Sequence, residues 1–187
     1  MRGKIDLRNS FMLAPVPVVL VGCSHEKLGD NVLTIAWCGV DCSDPPIIHI
    51  SIRPDRYSHR MIKESGCFTV NIPTCDLLGE IDLCGTVSGR EGDKFERSGL
   101  TPKEASIVSA PIIDECPVNI ECTVRDVITL GLHDMFLGEI VAKRVHESCL
   151  TGGKLDVSKI PLVAYCNGEY WSLGRRIGRY GCSAMRR

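Results

Sequence analysis

Apolar and polar positions alternate with a period of two over several stretches of the chain, the spacing of half-buried strands. PVPVVLVGCS (15–24) reads as a first strand and HEKLGDN as a turn, so a hairpin into a second strand, NVLTIAWCGVDC (31–42), is expected. After Asp44-Pro45-Pro46 comes IIHISIRP, where Ile48, Ile50 and Ile52 share one face and His49, Ser51 and Arg53 the other. The period then changes. In DRYSHRMIKESG, Tyr57, Met61 and Ile62 fall on one helical stripe, with Asp55 or Ser58 to cap the start and Gly66 to stop it.

CFTVNIP is a short strand ended by Pro73, and TCDLLGEIDLCGTVSG a second helix with Leu77, Leu78, Ile81 and Cys84 on one stripe. GREGDKFERSGLTP is polar and Gly-rich, the composition of a surface loop or short helix. PVNIECTVRDVITL sets Val118, Ile120, Cys122 and Val124 against Asn119, Glu121, Thr123 and Arg125, and HDMFLGEIVAKRVHES follows a Gly131 turn as its hairpin partner. PLVAYCNGEYWSLG gives two short strands about Asn167-Gly168. Some seven strands with two inserted helices, and no regular strand-helix alternation, predict a closed antiparallel barrel and not a doubly wound sheet.

With 187 residues, 44% of them hydrophobic and 24% charged, the chain suits one domain spanning 1–187. Its formal charge of -1 provides no general attraction for nucleic acid or an anionic membrane. The one basic bias is the tail, where Arg175, Arg176, Arg179, Arg186 and Arg187 crowd together, read first as a solvated face and otherwise as a hold for a phosphate-bearing ligand or another subunit. Arg2, Lys4 and FMLAPVPVVLVG before Cys23 superficially resemble a lipoprotein signal, but Asp6, Pro15 and Pro17 argue against it, and a cytoplasmic protein is expected. The 11 cysteines include no pair separated by two residues and form an odd set, so they read as reduced thiols filling core volume. Cys38 and Cys42 would lie about 13 Å apart on one strand face, too far to bridge. No Walker loop, GxSxG elbow, or HExxH motif is present, and no metal is expected.

The order PVPVVLVG, GDNVLTIAW, DPPIIHISIRPDRYSHRMI, FTVNIP, DKF resembles the flavin reductase-like, FMN-binding split-barrel family, and within it the flavoredoxin group, from about residue 10 to about 175. The resemblance implies a mainly β fold, a six-stranded antiparallel Greek-key split barrel with a few inserted helices. It also implies a homodimer with FMN near the subunit interface. Asn31 and Trp37 would lie beside the flavin, Thr34 and Ala36 would offer backbone contacts, and Arg53, Arg56 and Ser58 would hold the phosphate at a helix start. Lys94 and His133 would reach the flavin, and Tyr165, Tyr170 or Trp171 would supply an aromatic wall, with Trp171 counted among the binding residues. Val32, Thr34, Ala36 and Cys38, small or β-branched and alternate along the strand, would form a smooth face for a planar ring. The implied function is an NAD(P)H-dependent flavin reductase in which no side chain is an indispensable acid or base. The alternatives are a flavoredoxin-type module passing electrons between protein partners and a non-enzymatic flavin-binding protein.

Overall fold

The run NVLTIAWCGVDC does not stay in one strand. In the computed structural model, which describes residues 3, 4 and 13–184, it bends at Ala36 and Trp37. The chain forms β1 (Val19–His25), β2 (Gly29–Ile35), β3 (Cys38–Ser43), β4 (Pro46–Ile52), α1 (Tyr57–Ser65), β5 (Cys67–Ile72), α2 (Leu78–Thr86) and α3 (Lys94–Ser98). The long hairpin β6 (Val118–Thr129) and β7 (Asp134–Val145) follows, then β8 (Val163–Cys166) and β9 (Glu169–Ser172). One antiparallel sheet has seven strands in the order β2-β1-β5-β6-β7-β4-β3, so the expected count of six rises by one where the second strand divides. A second sheet pairs Val16–Pro17, β8 and β9. Phe11, Met12, Arg2, Asp6, Arg186 and Arg187 lie outside the described residues.

The bend has a reason in the pleat. Leu33 and Ile35 are buried in the central core, but beyond the bend Cys38 is the residue that packs against it. The inward positions pass from odd to even, so Ala36 and Trp37 absorb one residue of the alternation. The expected face of Val32, Thr34, Ala36 and Cys38 is therefore broken. Val32 instead packs outward with Cys84 of α2 and Phe95 of α3.

Val19 and Val21 of β1, Leu33 and Ile35 of β2, Ile48, Ile50 and Ile52 of β4, Phe68, Cys122 and Phe136 meet in a single cluster. Residues from near both ends of the sheet touch the same core, so the sheet curls around it. Helix α1 covers one end with Met61 and Ile62, both fully buried and each stabilising by about 2 kcal/mol. The helix is also tied down by His59, whose Nε2–H donates to the Asp134 carboxylate at 2.9 Å in a buried pair. That hydrogen bond outweighs burial and holds the Asp134 carboxyl below its usual range. Neither expected cap acts at the start of α1: Arg56 is the N-cap residue and no side chain caps the helix, whereas Gly66 does end it in the left-handed conformation.

On β6, Asn119 and Glu121 were expected opposite the apolar row, and there they are buried too, because the segment 101–117 lies over them. Asn71 is the centre of one seam. Its Nδ2 donates to the Leu20 carbonyl and Thr69 Oγ1, and its Oδ1 accepts from the Ile113 amide and Asn119 Nδ2. Glu121 makes the other, accepting from the Ser106 hydroxyl and from the amides of Ser106, Ile107 and Val108. Burial pushes its carboxyl up, but these hydrogen bonds win and hold it below its usual value.

Glu121→Ala leaves those donors without their acceptor and is expected to cost at least about 2 kcal/mol, read as a lower denaturation midpoint, with faster proteolysis at 104–110. An unfolded glutamate titrates near about 4.3 and the folded one lower, so the carboxylate's contribution is complete above that pH and disappears as pH falls through the folded value. Denaturant titrations of Glu121→Gln should accordingly show a shallower loss of stability below about pH 4.3 than the wild type.

Candidate functional site

The outer edge of β2 faces two cavities that run into one another. The first, about 190 Å³, lies between β2, the start of α1, the end of α2 and the stretch 87–94; the second, about 290 Å³, continues past the bend towards β4 and β8. Leu33, Thr34, Arg56 and Gly85 line both.

The first cavity is polar and cationic. At the N-terminus of α1 no side chain caps the helix and no acidic residue occupies the first turn, so its dipole and its first amides, apart from that of His59 which donates to the Arg56 carbonyl, are open to an anion. Ser58 sits there, buried, with its Oγ accepting from Asn31 Nδ2 at 2.6 Å. The hydroxyl also shares a side-chain hydrogen bond with the buried Cys23 thiol. Arg56 lines the same space, and Arg90 reaches it with Nη1 donating to the Asp55 carbonyl at 2.9 Å and its guanidinium 5.7 Å from the Tyr57 ring centre.

Lys94 arrives by a short helix whose sequence explains it. Asp93 accepts from the amides of Phe95 and Glu96, Gly99 closes α3 in the left-handed conformation, and Phe95 is buried against Leu20 and Val32. Anchoring Phe95 carries Lys94 inward, where Nζ donates to the Cys84 carbonyl at 2.8 Å. Burial holds its ammonium below the usual lysine range.

The second cavity combines small residues and aromatics. Thr34 donates its hydroxyl to the Ile81 carbonyl, and Ala36 lies at the bend. Trp37, 41% exposed, packs against Tyr165 with ring centres 6.1 Å apart, and Tyr165 packs edge-on against Tyr170. His133 enters from the turn before β7. Arg53 also lines this cavity. Its Nη2 donates to Asp55, while its buried Nε has no hydrogen-bond partner among the described residues.

Nine of the ten residues expected at a site thus line this continuous cleft: Asn31, Thr34, Ala36, Trp37, Arg53, Arg56, Ser58, Lys94 and His133. Trp171 does not. It is 56% exposed and its indole donates to Glu169. The two-residue turn Asn167-Gly168, with φ of 50° and 99°, pairs Tyr165 with Tyr170, so these two share a face and Trp171 takes the opposite one. The sequence reading missed Gly85, Ser88, Gly89 and Arg90. Their signal was the Gly- and Ser-rich run GTVSGREGD, whose first part was read as the end of the second helix and whose remainder, from Gly89, as surface composition.

Gly89 is required by close approach: an added Cβ would lie 2.5 Å from Tyr57 Cδ1 and 2.8 Å from Asn31 Oδ1. Gly89→Ala is expected to displace Asn31 and lower stability by about 1–3 kcal/mol, measured by thermal or denaturant unfolding.

Among the described residues no cluster of side chains could hold a metal ion, and no helix is long and apolar enough to cross a membrane. A family model described as flavin reductase like domain matches residues 11–174. An uncharacterized protein of Archaeoglobus fulgidus is 36% identical over 146 residues, which cover 78% of this chain and 81% of that one. Flavoredoxin of Desulfovibrio vulgaris (Miyazaki F) superposes with a TM-score of 0.89 at 35% identity, over 95% of this chain and 97% of its own. Flavoredoxin from Methanosarcina acetivorans gives a TM-score of 0.89 at 30% identity, over 98% and 100%. A mainly β fold curled about one core, a cleft along the free edge of β2, and these matches together establish that the chain belongs to the flavin reductase-like domain family.

Proposed function

We propose that the 187-residue chain is one flavin-binding unit that holds FMN in the cleft along β2 and passes electrons from a reduced nicotinamide to an acceptor. The observation that carries this reading is the continuity of the two cavities, one cationic and polar, the other shallow and aromatic. A phosphate dianion suits the first. Ser58, Arg56, Lys94 and the open amides of α1 are its donors, with Arg90 beside them. A flat tricyclic ring suits the second. Thr34 and Ala36 let it approach the backbone, Trp37 and Tyr165 flank it, and the unpartnered Arg53 Nε is a donor for a ring oxygen or nitrogen. Asn31 fixes Ser58, and His133 borders the ring end.

When bound, FMN supplies reversible electron transfer. The chain's own share is to hold the phosphate, orient the ring against β2 and limit access of water to one face. The two flavoredoxin structures, which match over nearly the whole chain, favour a second reading in which electrons pass between protein partners with little use of NAD(P)H. The exposed Leu130 and Leu132 at the β6–β7 turn support a homodimer. Eleven free cysteines support a reducing, cytoplasmic setting.

Riboflavin, which lacks the phosphate, should bind at least about tenfold more weakly than FMN, and Arg56→Ala should narrow that gap, read by flavin fluorescence titration. Equal affinities for riboflavin and FMN would remove the phosphate assignment. Anaerobic mixing with NADH or NADPH separates the two functional readings: fast bleaching of the bound flavin supports a reductase, and its absence an electron carrier.

A further inference from the structure

Beyond the bend lies a third cavity, about 390 Å³, between β3, β4 and β8. It shares Ala36, Trp37, Ser51 and Tyr165 with the ring end of the cleft, so its contents would abut the flavin edge. Among the described residues no lysine, arginine or carboxylate lines it, which favours a neutral ligand. Its one titratable nitrogen base among the described residues is His49. The imidazole Nδ1–H donates to the Asp41 carboxylate at 2.8 Å, and Nε2 has no hydrogen-bond partner among the described residues. An added Cβ at Gly39 would lie 2.9 Å from His49 Cε1, so the ring rests against bare backbone. With Nδ1–H on the carboxylate, Nε2 of the neutral ring is an acceptor, and once it takes up a proton it becomes a donor that the Asp41 pair holds in one orientation.

We propose that this cavity is the acceptor site, that it takes a quinone, and that Nε2 of His49 hydrogen-bonds to and protonates the quinone oxygen. The inference rests on the FMN reading above. Reduction of a quinone to a hydroquinone takes two electrons and two protons. Reduced FMN is the reductant and gives both electrons and one proton as hydride. The second proton leaves Nε2 of the His49 imidazolium and is replaced from solvent, and neutral Nε2 can then accept from the hydroquinone O–H. Trp37 and Tyr165 offer the apolar walls a quinone ring needs. Cys38, also in the lining, does not compete by adding to the ring: burial pushes its thiol up to about 12, so it stays protonated.

The test uses duroquinone, whose four methyl groups prevent alkylation of the free thiols. The full-length protein is loaded with FMN, its occupancy is read from visible absorption, and duroquinone is titrated by calorimetry. One-to-one binding weakened about tenfold in His49→Leu at unchanged FMN occupancy is expected. After reduction by dithionite, which needs no nicotinamide, reoxidation by duroquinone should slow at least tenfold in the same variant. Equal binding and equal reoxidation in both proteins would overturn the proposal. If FMN occupies neither protein, the FMN reading fails, and the same titration of the FMN-free chain decides the pocket by itself: His49-dependent binding keeps it, and none removes it. Asp41 acts only by positioning. In Asp41→Asn, ring-nitrogen NMR shifts of the neutral His49 ring, the form left after the proton is given up, should report loss of the single Nδ1–H tautomer, and an unchanged tautomer would exclude Asp41 from the device.

Discussion

The two residues Ala36 and Trp37 have to serve both edges of one sheet. The chain leaves β2 at one end of the strand order and enters β3 at the other, with no connection between them except this bend. Because Leu33 and Ile35 before it and Cys38 after it all face the same core, the sheet has no choice but to curl until its edges approach each other. A backbone hydrogen bond from the Ser51 amide to the Trp37 carbonyl, 2.8 Å, fixes the bend to β4. The consequence is an edge strand, β2, whose second side has no ladder partner among the described residues. Exposed edges invite pairing with other chains. Here the edge borders a cleft bounded by helices on one side and aromatics on the other, which blocks a further strand and leaves backbone groups for a small molecule.

What keeps that cleft in shape is polar and buried. Asn71, Thr69 and Asn119 fasten 111–113 to the outer face of β5 and β6, and Glu121 of β6 fastens 106–108. Such groups contribute little net stability when satisfied and cost much when one partner is lost. Their value is in fixing position. Ile113 and Cys116 of the fastened segment pack with Cys84 of α2 and Phe95 of α3. Through that cluster, amide hydrogen bonds far from the cleft determine where Lys94 sits.

Much of this was readable from spacing. The strands, the helix ended by Gly66 and the hairpin about Asn167-Gly168 follow from period and turn chemistry, and the resemblance led to nine residues that the fold brings together. Three things resisted. The bend was hidden because nothing in NVLTIAWCGVDC marks Ala36 and Trp37 as the break, and a change of parity shows only when both partners of a strand are known. Burial of Glu121 and Asn119 was hidden because alternation predicts a polar face without saying what covers it. Gly89 was hidden because a glycine demanded by close approach of Tyr57 and Asn31 looks, in sequence, like one demanded by a loop. The choice of Trp171 over Tyr170 is different in kind, since the cross-strand register of a two-residue turn already assigned the face.

The cleft also shows how a chain with a formal charge of -1 can present a strongly cationic site. Arg56, Arg90 and Lys94 meet at one helix end with Asp55 the only carboxylate in the lining among the described residues, so the local field is set by a few groups within a few ångströms. At physiological salt the screening length is about 8 Å, and charges elsewhere on the surface are largely masked from a ligand in the cleft. Lys94 adds a further constraint. Its burial favours the neutral amine, and the Cys84 carbonyl only partly offsets that cost. An anion in the same cavity would restore what burial removes, since an opposite charge at close range favours the ammonium form. Anion binding and lysine protonation are therefore linked, and each strengthens the other. The aromatic end has no such coupling. Its Trp37, Tyr165 and Tyr170 are held by packing and by the hairpin turn, so the two halves of the cleft, though continuous, are built from independent physical terms.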